Sequence, residues 1–283
     1  MLDIRIVTIL GAGTMGHGIA HGAAAAGYEV RLYDVAEPQL LRARDEIAAI
    51  LEKAVDLGKT AADDARTIAA RVQITSDLAS AVGDADLVIE AVPERLDLKL
   101  RLLAEVERDA RPDAVIASNT SALSITELAG SLQDAGRVAG MHFFNPVHKM
   151  KLVEIVRALE SRPETLEVIA QVAGRMGKET VLVRESPGFI TSRVNASIGN
   201  EAFYMLLEGV ASARDIDKAL KLGLNHPMGP FELVDLVGLD TRLSVLEYLH
   251  RSMGEKYRPC PLLVQYVKAG RLGKKVGRGV YDY

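Results

Sequence analysis

Apolar positions along this chain follow two rhythms, and their alternation predicts the architecture. Ile4 to Leu10 is a short β-branched run; residues 14–27 carry an Ala- and Gly-rich helical pattern; EVRLYD at 29–34 is a second short run. That order is strand, helix, strand, with a crossover long enough to bring the second strand back parallel to the first. From Pro38 to Gly58, Leu40, Leu41, Ile47, Ile50 and Leu51 recur at helical spacing and the opposite side is charged, which predicts a long surface helix. Strand-like runs return at 72–75, 86–92, 114–117, 137–143 and 151–156, with helical segments between most of them.

Near-continuous apolar strands alternating with helices indicate an α/β fold with a doubly wound, mostly parallel sheet. Only 137–143 and 151–156 are joined by a connection too short for a helical crossover, so these two are expected to be antiparallel neighbours. After a helix near 163–176 and a strand at 179–183 the pattern changes at Ser186-Pro187-Gly188. Helical spacings then dominate at 189–208, 213–222, 231–237, 241–253 and 259–269. Two domains are expected: residues 1–186 around the sheet, and a smaller all-helical domain over 187–283.

Composition narrows the class without changing the outline. The 283 residues are 48% hydrophobic and 25% charged, ordinary for a globular protein. A net charge of −4 offers no global attraction to nucleic acid or anionic lipid, so neither is expected as a partner. No run approaches the roughly 20 apolar residues that span a bilayer, and IRIVTIL leads into a glycine loop rather than a cleavage site, so a cytoplasmic or organelle-matrix location is expected. Cys260, the only cysteine, lies between two prolines and reads as a structural thiol.

Gly11-Ala12-Gly13-Thr14-Met15-Gly16 fits G-x-G-x-x-G, follows a strand and opens a helix; Asp34 ends the second strand eighteen residues after Gly16. Together these form a Rossmann-type dinucleotide fingerprint. Gly11 permits the tight turn, Gly13 lets the backbone approach a pyrophosphate, and Gly16 lets the helix pack close to the strand. Asp34 would accept from a ribose 2′-OH and repel a 2′-phosphate, which favours NAD over NADP. His17 and His21 stand four apart on the following helix, but with no third ligand nearby no metal is expected.

Strand 86–92 runs out into Pro93-Glu94, and strand 114–117 into Ser118-Asn119-Thr120-Ser121, so both offer polar groups at the edge where the cofactor belongs. Glu94, Asn119 and Ser121 read equally as ligand contacts or as caps and turn residues. His142 falls at the end of the strand 137–143, and Glu154 on the strand running back beside it. An antiparallel pair of this kind can set the two side chains face to face, the carboxylate holding one imidazole nitrogen and the other acting as a base. A buried histidine satisfied by backbone is the alternative. His148 reads as a loop residue.

SNTS at 118–121, HFFNP at 142–146, KLVEIV at 151–156, SPGFI at 186–190, HPMGPFELVDLVGLD at 226–240 and GKKVGRGVYDY at 273–283 together resemble the short monofunctional 3-hydroxyacyl-CoA dehydrogenases, especially the bacterial 3-hydroxybutyryl-CoA type. The resemblance covers essentially the whole chain. It implies NAD-dependent interconversion of (S)-3-hydroxyacyl-CoA and 3-oxoacyl-CoA in fatty-acid metabolism, with His142 as base and Glu154 as its partner. It further implies Ser121 on the substrate oxygen, Asn119 in the same pocket, and cofactor contacts from the 11–16 loop, Asp34, Glu94, Lys99, Asn119, Ser121 and Lys275. A homodimer through the second domain, which closes over the site, is implied as well. Arg42, Arg44, Lys53 and Lys59 are either near the CoA phosphates or part of a solvated face. One position departs from the family pattern P-G-F-x-x-N-R: Ser192 stands where asparagine is usual, so substrate contact is made by its hydroxyl, directly or through water, or by Asn195 one turn on. A free hydroxy acid such as a sugar acid as substrate, or an NAD-binding protein without turnover, are the competing readings.

Overall fold

The computed structural model describes residues 4–283. The chain divides into a first unit ending at Glu185 and a second running from Ser186 to Tyr283.

In the first unit β1 (Ile6–Leu10), α1 (Thr14–Ala25), β2 (Glu29–Tyr33), α2 (Glu37–Asp56), α3 (Ala62–Ala70), β3 (Val72–Thr75), α4 (Leu78–Val82), β4 (Leu87–Glu90), α5 (Leu96–Asp109), β5 (Val115–Ser118), α6 (Ile125–Gly130), β6 (Val138–Phe143), β7 (Leu152–Arg157), α7 (Pro163–Arg175) and β8 (Glu179–Arg184) follow in order. The eight strands form one sheet in the order β3-β2-β1-β4-β5-β6-β7-β8. Every neighbouring pair is parallel except β6 with β7. The strand order reverses between β1 and β4, the crevice where open α/β sheets bind ligands.

Burial explains the apolar strands. Val7, Ile9, Leu10, Leu87, Val88, Ile89 and Ile116 have no measurable exposure, as a sheet covered on both faces requires. One face joins α1, α2 and α7 in a core containing Ile9, Ile89, Ala117, Met141, Phe143, Val153 and Ile155. Strand alternation therefore turns His142 and Glu154 to the other face. Small residues let α1 lie close: a Cβ on Gly18 would stand 3.0 Å from the Val147 side chain.

The second unit contains α8 (Thr191–Leu207), α9 (Ala213–Gly223), α10 (Pro230–Val237), α11 (Leu239–Met253) and α12 (Pro261–Lys268). Its core gathers Ala202, Phe203, Phe231, Leu239, Leu246, Leu249 and Leu263. Phe203 and Phe231 meet edge to face at 5.2 Å, the arrangement their ring quadrupoles favour. Buried Asp235 accepts from the amides of Val280 and Tyr281 and fastens the C-terminal tail to α10.

Candidate active site

β1, β4, β5 and β6 run parallel, and Leu10, Glu90, Ser118 and Gly140 stand in one row across them. The loops that follow these strands therefore open at one edge of the sheet. At its centre Gly11 adopts φ +98°, and a Cβ there would approach the Ala91 carbonyl oxygen to 2.8 Å. A Cβ on Gly16 would fall 1.7 Å from the Gly11 carbonyl oxygen, so only glycine lets α1 start against the loop. A Cβ on Gly13 meets nothing within 4 Å. Gly13 thus faces open space, and α1 begins there without a side-chain cap, leaving first-turn N–H groups for an anion.

A cavity of about 860 Å³ extends from this loop and is lined by Gly11, Gly13, Thr14, Met15 and Asp34, with Gln39, Arg42 and Arg101 on its walls. Its volume and glycine floor fit a dinucleotide. Asp34 accepts from the Ala12 amide at 2.8 Å and the Ala36 amide at 3.0 Å, so one carboxylate both shapes the glycine loop and faces the cavity. Gln39 reinforces the loop by donating to the Ala12 carbonyl at 3.0 Å. Burial, with the carboxylates of Glu105 and Asp34 nearby, pushes the Tyr33 phenol above its usual range and keeps it neutral. Arg42, read from sequence beside the CoA phosphates or on a solvated face, stands on this cavity wall with Asp34.

Beside the loop lies a buried ionic cluster. Lys99, 1% exposed, donates to both oxygens of Glu90 at 2.6 and 2.8 Å. Ser118 Oγ and the Val92 amide also donate to Glu90. Lys99 is further paired with Glu94 at 3.4 Å, and it is not among the residues lining the cavity. Glu94 accepts from Thr120 Oγ1 and from the amides of Ser121 at 2.9 Å and Ala122 at 3.0 Å, so it clamps the turn that carries Ser121. Asn119 lies at the end of β5 and its Oδ1 accepts from the Phe143 amide at 2.8 Å, pinning β5 to β6 just after His142.

His142 and Glu154 are directly opposite in the antiparallel pair, and His142 Nδ1 meets Glu154 Oε2 at 2.7 Å. His142 is 4% exposed and Glu154 0%. A carboxylate only accepts, so Nδ1 carries the proton and Nε2 is the nitrogen suited to base chemistry. The Phe144 ring lies 4.6 Å from the imidazole, apolar packing that strengthens the pair's electrostatics by keeping water away. His148 is a loop residue, 6.4 Å from His21 between ring centroids. Burial, then the charges of Lys149 and Lys178, lower its pKa.

Two residues expected at the site belong to the second unit. Ser192 is half-buried in the first turn of α8, and Lys275 Nζ is bound by Asp240 at 2.6 and 2.7 Å. The sequence singles out none of Glu90, Gln39 and Arg101, and marks Ser118 only as a polar group at the end of its strand. Glu90 had a signal: it is the one ionisable residue in the strand LVIE, and a charge closing a fully buried strand needs a partner.

Residues 6–186 match the NAD-binding domain of 3-hydroxyacyl-CoA dehydrogenase, and residues 188–283 match its C-terminal domain. A probable 3-hydroxybutyryl-CoA dehydrogenase of Bacillus subtilis is 47% identical over 100% of this chain and 98% of its own length. The 3-hydroxybutyryl-CoA dehydrogenase of Bradyrhizobium diazoefficiens is 42% identical over 99% and 96%. The crystal structure of (S)-3-hydroxybutyryl-CoA dehydrogenase from Ralstonia eutropha superposes with a TM-score of 0.96 at 41% identity, covering 99% of both chains. With both domain matches spanning nearly its whole length and its glycine loop, sheet order and His–Glu pair in place, the chain belongs to the 3-hydroxyacyl-CoA dehydrogenase family.

Proposed function

We propose that this protein interconverts (S)-3-hydroxyacyl-CoA, 3-hydroxybutyryl-CoA in particular, and 3-oxoacyl-CoA, using NAD. The observation that carries the proposal is the buried His142–Glu154 pair at 2.7 Å, on the strand whose end opens at the same sheet edge as the glycine loop. Gly13, the uncapped start of α1 and Asp34 would hold the pyrophosphate and ribose, and Glu94, Lys99 and Asn119 would shape the nicotinamide end. Bound there, NAD would supply the hydride acceptor for oxidation at the carbinol carbon. His142 takes the hydroxyl proton at Nε2, and Glu154 holds the ring in one orientation and stabilises the imidazolium that forms. Ser121 donates its hydroxyl to the substrate oxygen. Running backwards, His142 returns the proton to the oxygen of a 3-oxoacyl thioester.

The second unit supplies Ser192 and Lys275 in this reading, closes over the substrate and pairs two copies. Leu222, Leu224, Leu236 and Val237, all exposed, give it the apolar surface such a contact needs. No helix among the described residues is long and apolar enough to cross a membrane, and the reading assigns the protein to acyl-CoA metabolism in the cytoplasm. NADH oxidation with acetoacetyl-CoA and with free acetoacetate tests the substrate class. Turnover of the thioester with little on the free acid is expected; equal rates on both reject the CoA assignment.

A further inference from the structure

The turn carrying Ser121 is held by a carboxylate at each end. Glu94 binds its first part through Thr120, Ser121 and Ala122. At its far end Glu185 accepts from the Ser124 and Thr126 hydroxyls and, at 2.9 Å, from the Thr126 amide. Ser124 is the N-cap of α6 and accepts from the Glu127 amide at 3.0 Å, so Glu185 sets the hydroxyl on which the cap depends. Thr126 Oγ1 in turn accepts from the Leu159 amide at 3.0 Å, extending the connection to the residues after β7. Glu185 is itself fixed by its amide, which donates to the Arg157 carbonyl of that strand at 3.1 Å. It is also the last residue of the first unit.

A lone cap for a six-residue helix does not need a carboxylate brought 59 residues along the chain with three donors aimed at it. A loop that must present one hydroxyl in a single orientation does, because a small displacement of a group acting on the reacting oxygen costs rate steeply. We propose that Glu185 is a positioning residue for the reaction: it holds the 121–126 segment from behind so that Ser121 meets the substrate oxygen, and it fastens that segment to the chain where the chain leaves the first unit. This rests on the role given to Ser121 above.

The test is a double-mutant cycle in the full-length enzyme, with kcat and KM measured for acetoacetyl-CoA and NADH. Glu185→Gln keeps the shape and removes the charge; it is expected to lower kcat about tenfold while KM for NADH stays unchanged, with Glu185→Asp recovering part of the loss. In a Ser121→Ala background the same change is expected to lower kcat no further, because the group it positions is gone. Should Glu185→Gln fail to fold, Thr126→Val removes one of the three donors and is read in the same cycle. A multiplicative loss in the Ser121→Ala background, or wild-type kcat in both Glu185→Gln and Thr126→Val, overturns the positioning role. Absence of wild-type turnover on acetoacetyl-CoA instead rejects the function, so the two failures are separate.

Discussion

Replacing Glu154 by glutamine tests the chemistry with the least change of shape. The amide can still accept from His142 Nδ1 across the 2.7 Å contact, so ring orientation survives while the negative charge is lost. That charge matters only when the imidazole becomes positive. Two unit charges about 4 Å apart at an effective dielectric of about 20 attract by about 4 kcal/mol. The remaining amide hydrogen bond recovers about 1 kcal/mol of this, and the net loss of about 3 kcal/mol corresponds to roughly 10²-fold in kcat. Both side chains are buried, so solvent does not screen the effect away. Stopped-flow turnover of NADH with acetoacetyl-CoA gives kcat, and fluorescence titration gives NADH affinity, which is expected to stay within a factor of about two. The double variant His142→Gln, Glu154→Gln is expected to be no slower than His142→Gln alone, since Glu154 acts through the imidazole. A Glu154→Gln kcat within a few-fold of wild type, or a double variant slower by the product of the single losses, refutes the arrangement.

Asp34→Ala is expected to narrow the NADH over NADPH preference in kcat/KM and to weaken NADH through a looser glycine loop, because Asp34 also holds the Ala12 amide; an unchanged ratio rejects the ribose assignment. Gly13→Ala, whose added methyl meets only open space, is expected to leave thermal stability within about 1 kcal/mol and to weaken NADH, whereas Gly16→Ala, with its methyl 1.7 Å from a carbonyl oxygen, is expected to lower stability severely. Equal stability losses in the two defeat this distinction. His21 is pushed down from 6.5 to about 4, first by burial and then by the charges of His148, Lys178 and His17. Its folded value lies below its unfolded one, so the unfolded chain takes the proton first, and stability present above pH 6.5 is lost as pH falls towards 4. Urea unfolding should show about 2 kcal/mol of this loss between pH 7 and 5, and His21→Gln should remove it; an identical pH slope in the variant contradicts the assignment.

Local chemistry carried much of the outline. Continuous runs such as TIL and LVIE could only be strands buried on both faces, G-x-G-x-x-G after the first of them could only be a tight turn into a helix, and the short link between 143 and 152 excluded a parallel crossover. That link allowed His142 and Glu154 to stand face to face but left a backbone-satisfied histidine open until the family resemblance was added, because a two-residue period fixes the face and only the register of the folded pair sets the two residues opposite one another. Less visible were elements without an apolar stripe: α3, ADDARTIAA, buries no residue, so nothing in its pattern distinguishes it from a polar connection.

The tertiary structure decided the partners of the charged groups. Glu90 with Lys99, Glu94 with the Thr120 hydroxyl and the Ser121 and Ala122 amides, and Glu185 with Ser124 and Thr126 join residues 9 to 61 positions apart. No local period encodes those distances, which depend on strand order and on loops meeting at one edge. For Glu90, the buried one of the three, the sequence states that a donor is needed, since an unpaired buried carboxylate costs several kcal/mol. Which donor it finds is settled only when the sheet brings distant chain segments within three ångströms, and at this edge Asp34 and Glu94 find the amides of neighbouring loops.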